Sequence, residues 1–117
     1  MKTKSAIAAL AALAQDSRLA IFRLLVETGP RGMPAGAIGE HLGIPPMTLS
    51  FHLSRLRHAG IVTSRRNSRW IIYSANFATI GRLVDFLVED CCKGGPPACR
   101  SARGAAGLPA FERKELS

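Results

Sequence analysis

Apolar side chains recur at three- and four-residue intervals along most of the chain up to Cys92, and the breaks in that period divide it into elements. Between Ala6 and Ala14 the chain is almost all Ala and Leu, strong helix formers, which predicts a first helix over residues 5–14. Asp16 and Ser17 are N-cap types. Behind them Leu19, Ile21, Phe22, Leu24, Leu25 and Val26 form a broad apolar stripe that stops at Gly29-Pro30, the pattern of a buried helix. Pro34 suits the first turn of a short helix over residues 34–41, with Ala37, Ile38 and Leu42 toward the core and Gly43 as its stop. After the rigid turn Ile44-Pro45-Pro46, residues 47–59 place Leu49, Leu53 and Leu56 on one helical face, with Gly60 at the C′ position.

The period then changes. Residues 61–66 and 69–74 are β-prone runs around Asn67-Ser68 and are expected to pair as a hairpin. Asn76 can cap a last helix in which Phe77, Ile80, Leu83, Val84, Leu87 and Val88 repeat at three and four, ending near Cys92. Beyond Lys93 the chain is Gly, Pro, Ala and Arg without a period that buries a core, so residues 104–117 are expected to be mobile. Two short helices joined by a tight turn, followed by a basic hairpin, predict a mostly α fold with a β-hairpin wing (α+β), a winged helix-turn-helix. The expected organisation is one such domain over residues 1–92 and a flexible C-terminal segment over 93–117.

Charge adds a partner to this picture. Sixteen Lys and Arg against eight Asp and Glu leave a net charge of +8, which points to a polyanion such as nucleic acid or an acidic membrane surface. With 117 residues the chain can bury one modest core, which a partner subunit would supplement. No stretch approaches the about 18 apolar residues needed to span a bilayer. Lys2, Lys4 and the Ala-rich run imitate a secretory signal, but helix-forming composition running into a second helix favours a plain helix. An odd count of three cysteines makes a poor disulfide framework and favours a reducing cytoplasm. Catalysis is not expected: there is no catalytic triad, Walker loop or Rossmann glycine set. Residues 93–100 also lack the Cys-to-Arg spacing of a phosphatase-like thiol site.

A helix that reads DNA needs an apolar face to hold it and small or polar side chains that reach base edges. With Leu49, Leu53 and Leu56 inward, Met47, Ser50, Phe51, Ser54, Arg55 and His58 turn outward, and Thr48 and His52 fall on the flanks. Thr48 and Ser50 can bond bases or phosphates, Phe51 can touch thymine methyls, and His52 and Arg55 suit phosphates. In the hairpin Arg65, Arg66 and Arg69 stand close together around a turn, where they can reach phosphates or the minor groove. DNA binding on this basis requires no cofactor.

These residues resemble a known family, the ArsR/SmtB metalloregulatory repressors, over residues 7–92. The likeness is carried by Leu42-Gly43-Ile44-Pro45-Pro46-Met47-Thr48-Leu49-Ser50-Phe51-His52-Leu53, by Leu56-Arg57-His58-Ala59-Gly60-Ile61-Val62 and by Ile72-Tyr73-Ser74. It implies a homodimer through the first and last helices, here 5–14 and 77–91, with two recognition helices on a palindromic operator. This chain departs from the family at the sensing sites. The founding Cys-Val-Cys stretch is Ala37-Ile38-Gly39-Glu40-His41-Leu42 here, and the last helix offers only Asp85, Glu89 and Asp90, with no His beyond His58.

Instead, all three cysteines lie in Cys91-Cys92-Lys93-Gly94-Gly95-Pro96-Pro97-Ala98-Cys99. Adjacent residues on a helix diverge by about 100°, so joint chelation requires fraying at Cys91 and Cys92, which Gly94-Gly95 permits and Pro96-Pro97 helps turn back. Three soft thiolates without an imidazole favour a thiophilic ion, and zinc would want a fourth ligand. Trivalent arsenic or antimony takes three sulfurs, and relatives with a similar Cys-Cys pair and a later cysteine respond to arsenite. Lys93 and Arg100 favour the thiolate forms. A thiol switch, with Cys99 bridging to Cys91 or Cys92, is the alternative.

Overall fold

The computed structural model describes residues 1–89. Cys91, Cys92 and Cys99, the expected end of the last helix near Cys92 and the segment 93–117 lie outside the described residues. Met1–Ile80 forms one compact unit. Its elements are α1 (Thr3–Leu13), α2 (Asp16–Thr28), β1 (Met33–Pro34), α3 (Ala35–Leu42), α4 (Pro46–His58), β2 (Val62–Asn67) and β3 (Trp70–Ala75), and α5 (Phe77–Val88) follows. This is the winged helix-turn-helix expected from the pattern of apolar positions.

The core of the unit is built from Ile21, Leu25, Ile38, Leu53, Leu56, Ile61 and Val62, each essentially without solvent contact. Helix α1 supplies only Ala6, Ala9 and Ala12 to buried positions, so it packs closely on α2 and α4. Helices α1 and α2 meet at 101°, and among the described residues no single helix is long and apolar enough to cross a membrane.

Several boundaries differ from the expected ones for local reasons. The N-cap of α2 is Gln15, whose side-chain oxygen accepts from the Arg18 backbone N–H at 2.9 Å. That leaves Asp16 in the first turn, where its charge faces the helix dipole favourably. Leu19 and Val26 lie 44 % and 41 % exposed, so the buried face of α2 is narrower than its apolar stripe. Pro34 belongs to β1 and to the N-cap of α3 instead of the helix. In α3, Ile38 and Gly39 are buried while Ala37 is exposed and Leu42 only partly covered. Gly39 matters because a Cβ there would lie 3.0 Å from Ile44 O and 3.3 Å from Leu49 Cδ2. Its absence lets α4 approach α3 across the turn.

The sheet has the order β1-β3-β2, all antiparallel. Strand β1 was not foreseen: two residues carry no period, and a proline is tolerated because β1 is an edge strand. The hairpin runs one residue later than expected, pairing Val62 with Ala75 through to Asn67 with Trp70. Its loop is therefore Ser68-Arg69, with Ser68 at φ 61°, the positive value that matches the twist of a two-residue connection. Asn76 starts α5 as expected. Its Oδ1 accepts from Thr79 N–H at 3.2 Å, while its Nδ2 donates to Gly60 O at 3.0 Å.

Candidate nucleic-acid interface

Helix α4 is aimed by its buried side. Leu49, His52, Leu53 and Leu56 are buried, and Pro46 at the start of the helix needs no capping partner for its missing N–H. The opposite face carries Met47, Thr48, Ser50, Phe51 and Arg55, all exposed, with Ser54 partly covered. Met47 is 87 % and Phe51 54 % exposed, which leaves two large apolar groups standing among hydroxyls and cations. Arg55 lies with its guanidinium carbon 5.1 Å from the centroid of the Phe51 ring, a cation–π pairing one helical turn apart. Arg55, Arg57 and His58 occupy the last turn, where positive charge is favoured by the helix dipole. His58 is oriented by its Nδ1–H, which donates to Ser54 O at 3.0 Å.

His52 corrects the sequence reading. Expected on the flank and suited to phosphate, it is instead 7 % exposed, packed edge-on to Phe51 with ring centroids 5.9 Å apart. Its Nδ1 is buried with no hydrogen-bond partner among the described residues. Burial, and secondarily the nearby Arg18 charge, hold its pKa below the ordinary value for histidine. A residue that leans inward and resists protonation does not present a charge to DNA. At three residues after Leu49 and one before Leu53 it extends the inward stripe, a placement that a wider helical arc would have indicated.

The wing is built differently. On β2 only Val62 is buried, and Arg66, Asn67, Ser68, Arg69 and Trp70 form an exposed tip, with Trp70 at 56 %. Arg66 pairs with Ile71 in the ladder and Arg69 sits in the loop, so the register places both beside the turn. Arg65 is engaged elsewhere. Its Nη1 donates to Ser74 Oγ at 3.2 Å and its Nη2 to Arg31 O at 2.7 Å, and Ser74 Oγ in turn donates to Pro30 O at 3.4 Å. These bonds tie both wing strands to the turn after α2. Gly32 lies in that turn at φ +75°, and a Cβ on it would collide with Ser74 Oγ, Tyr73 O and Ile72 Cγ2. Sequence reasoning treated Arg65 as equivalent to Arg66 and Arg69 because spacing does not reveal a partner 34 residues away.

Among the described residues there is no group of three His, Cys, Asp or Glu side chains that could hold a metal ion. Thr48, Ser50, Phe51, Ser54 and Arg55 thus share one helix face and Arg66 and Arg69 one hairpin tip, a combination of small polar, apolar and cationic groups suited to a polyanion with base edges.

Comparison with known proteins agrees with this arrangement. A family model described as a helix-turn-helix domain matches residues 13–65. The HTH-type transcriptional regulator KmtR of Mycobacterium tuberculosis is 31 % identical over 96 residues, covering 82 % of this chain and 72 % of that protein. The uncharacterized HTH-type transcriptional regulator YceK of Bacillus subtilis is 41 % identical over 58 residues, and the match spans only 57 % of its length and 50 % of this chain. Among solved structures, the homodimeric winged helix-turn-helix DNA-binding domain of a possible ArsR-family regulator from Mycobacterium bovis superposes with a TM-score of 0.59. It is 25 % identical and covers 79 % of this chain and 85 % of its own.

Proposed function

The chain belongs to the helix-turn-helix transcriptional regulators of the ArsR/SmtB-like winged-helix kind; from that premise we propose that it is a cytoplasmic, homodimeric repressor of an arsenic-resistance operon. In this reading it leaves its operator when trivalent arsenic or antimony binds Cys91, Cys92 and Cys99. The observation that carries the effector is the donor set: three cysteines and no others, two adjacent and the third seven residues on. Three thiolates match an ion that takes three sulfurs and leave zinc one ligand short.

Operator binding is assigned to Thr48, Ser50, Phe51, Ser54 and Arg55 on α4 and to Arg66 and Arg69 on the wing, with cationic side chains on phosphates and small groups on base edges. Dimerisation is supported by the apolar residues left open on α1 and α5, with Ile7 60 %, Leu10 41 %, Phe77 41 % and Leu87 56 % exposed. The homodimeric Mycobacterium bovis domain supports it as well. Cys91, Cys92 and Cys99 would hold the ion through their sulfurs, displacing the hydroxyl groups of arsenite as water with the thiol protons, and the chain would bias its dimer toward a geometry that no longer fits both half-sites. Ligand and operator then weaken each other reciprocally, by about 1–3 kcal/mol or roughly 5- to 150-fold.

The test is fluorescence anisotropy of a labelled promoter fragment with the reduced full-length protein, titrated with arsenite at fixed salt, then with Cys92→Ser, then with oxidant replacing arsenite. Release by arsenite that Cys92→Ser abolishes is the expected result. Operator affinity unchanged by saturating arsenite would sink the proposal, and release by oxidant alone transfers it to the second reading, a disulfide between Cys99 and Cys91 or Cys92.

A further inference from the structure

Beside the outward face of α4, a cleft of about 300 Å³ opens between α1, α2 and α4, and its wall brings together Arg18, Arg55 and His58. Among the described residues no carboxylate lines it. Its floor is alanine, from α1 and Ala59, so the volume exists because α1 carries nothing longer than a methyl group there.

Each of the three polar side chains is held by one contact within the protein. The Arg18 Nε–H donates to Ala12 O at 2.7 Å, which pins the guanidinium to the end of α1. Arg55 is held over the Phe51 ring, and His58 is fixed through its Nδ1–H, which leaves Nε2 of the neutral ring as an acceptor for a P–OH group. These contacts fix the side chains and leave the charge of both guanidinium groups in place. Two guanidinium groups and an imidazole line one small alanine-floored cleft without an acid among the described lining residues, and the set matches a hydrogen phosphate: the guanidinium N–H groups donate to its oxygens and Nε2 accepts from its hydroxyl.

From this arrangement we infer that the cleft is a phosphate-binding site, separate from the cysteines, that extends the anion-binding surface of α4 onto α1 and α2. The phosphate has two possible sources, the DNA backbone flanking the recognition helix or a free phosphate ester. Because Arg55 serves both the cleft and the outward face of α4, a free phosphate there competes with DNA.

Two measurements on the full-length reduced protein test the site and separate the sources. The first titrates inorganic phosphate and phenyl phosphate at constant ionic strength, with chloride as the control, and follows backbone amide resonances. Saturable shifts at Arg18, Ala12 and Ala59 are expected, and Arg18→Gln should weaken them at least about tenfold, the loss of one charge-assisted partner. Ala8→Glu provides a second variant that keeps the helix: it places a carboxylate at the exposed rim of the cleft, and it too should weaken phosphate binding.

The second measures DNA affinity against salt for Arg18→Gln. A fall of about 0.9 in the slope of log K against log salt, uniform across DNA sequences, identifies a backbone phosphate as the occupant. An unchanged slope, with DNA affinity that drops only when phenyl phosphate is added to the unaltered protein, identifies the free ester. No saturable phosphate shift together with an unchanged slope overturns the site, and it does so independently of any response to arsenite.

Discussion

Helix α4 buries four of its thirteen residues, Leu49, His52, Leu53 and Leu56, whereas strand β2 buries one of its six, Val62. Both present cations to solvent, but they are fixed by different forces. The direction of α4 follows from hydrophobic burial, so its outward side chains are aimed by the same residues that hold the unit together. The wing has no such face. Its direction comes from the β2–β3 ladder and from the bonds of Arg65 and Ser74 to Arg31 O and Pro30 O. Loss of a buried side chain of α4 should therefore appear as lost stability, and loss of an exposed cation of the wing as lost binding.

The largest effect expected from this contrast is on stability. Leu53→Ala removes a side chain only 1 % exposed and should cost about 2–5 kcal/mol in urea unfolding. Ile71→Ala on the wing, where the residue is 45 % exposed, should stay within about 0.5 kcal/mol. Equal costs at the two positions would erase the contrast.

The next effect separates two kinds of wing residue. Ser74→Ala carries no charge change, yet it releases Arg65 from β3 and removes the bond to Pro30 O, at a cost of about 1–2 kcal/mol. DNA affinity should fall while the slope of log K against log salt stays where it was, because no phosphate contact is lost. Arg66→Gln and Arg69→Gln should each lower that slope by about 0.9 and leave stability nearly unchanged. An Arg65→Gln variant that lowers the slope like the other two would show that Arg65 contacts phosphate despite its tether.

The contrast also explains which parts of the molecule could be read in the chain. Burial leaves a period, so α2, α4 and α5 were legible from Ile21, Leu25, Leu53, Leu56 and Leu83, and the glycine stops at Gly43 and Gly60 fell where helices end. The outward face of α4 followed from the same period. Hydrogen bonds between distant residues leave none. The tether of Arg65 to Arg31, the two-residue strand β1 and the cation cleft around Arg18 each depend on the chain returning to a place that local spacing does not encode. His52 was misplaced because a polar type was taken to follow solvent, although its position in the helix follows the leucines.

His52 gives the smallest effect and the finest division between the two regions. Its pKa lies below the ordinary 6.5 because burial, and then the Arg18 charge, penalise the imidazolium in the folded protein. The unfolded chain pays neither penalty. As pH falls through 6.5 the unfolded state takes up a proton that the folded state refuses, so this group lowers stability as acidity rises until the folded pKa is reached, and contributes nothing above that window. The loss belongs to α4 alone, since β2 and β3 contain no histidine. His52→Leu fills the same buried place without the unpaired Nδ1 and should match the unaltered protein within about 1 kcal/mol at pH 8. Below pH 6.5 the difference between the two should move in the variant's favour. Urea midpoints that keep a constant difference between pH 5 and pH 8 would place the acid sensitivity of the fold outside the recognition helix.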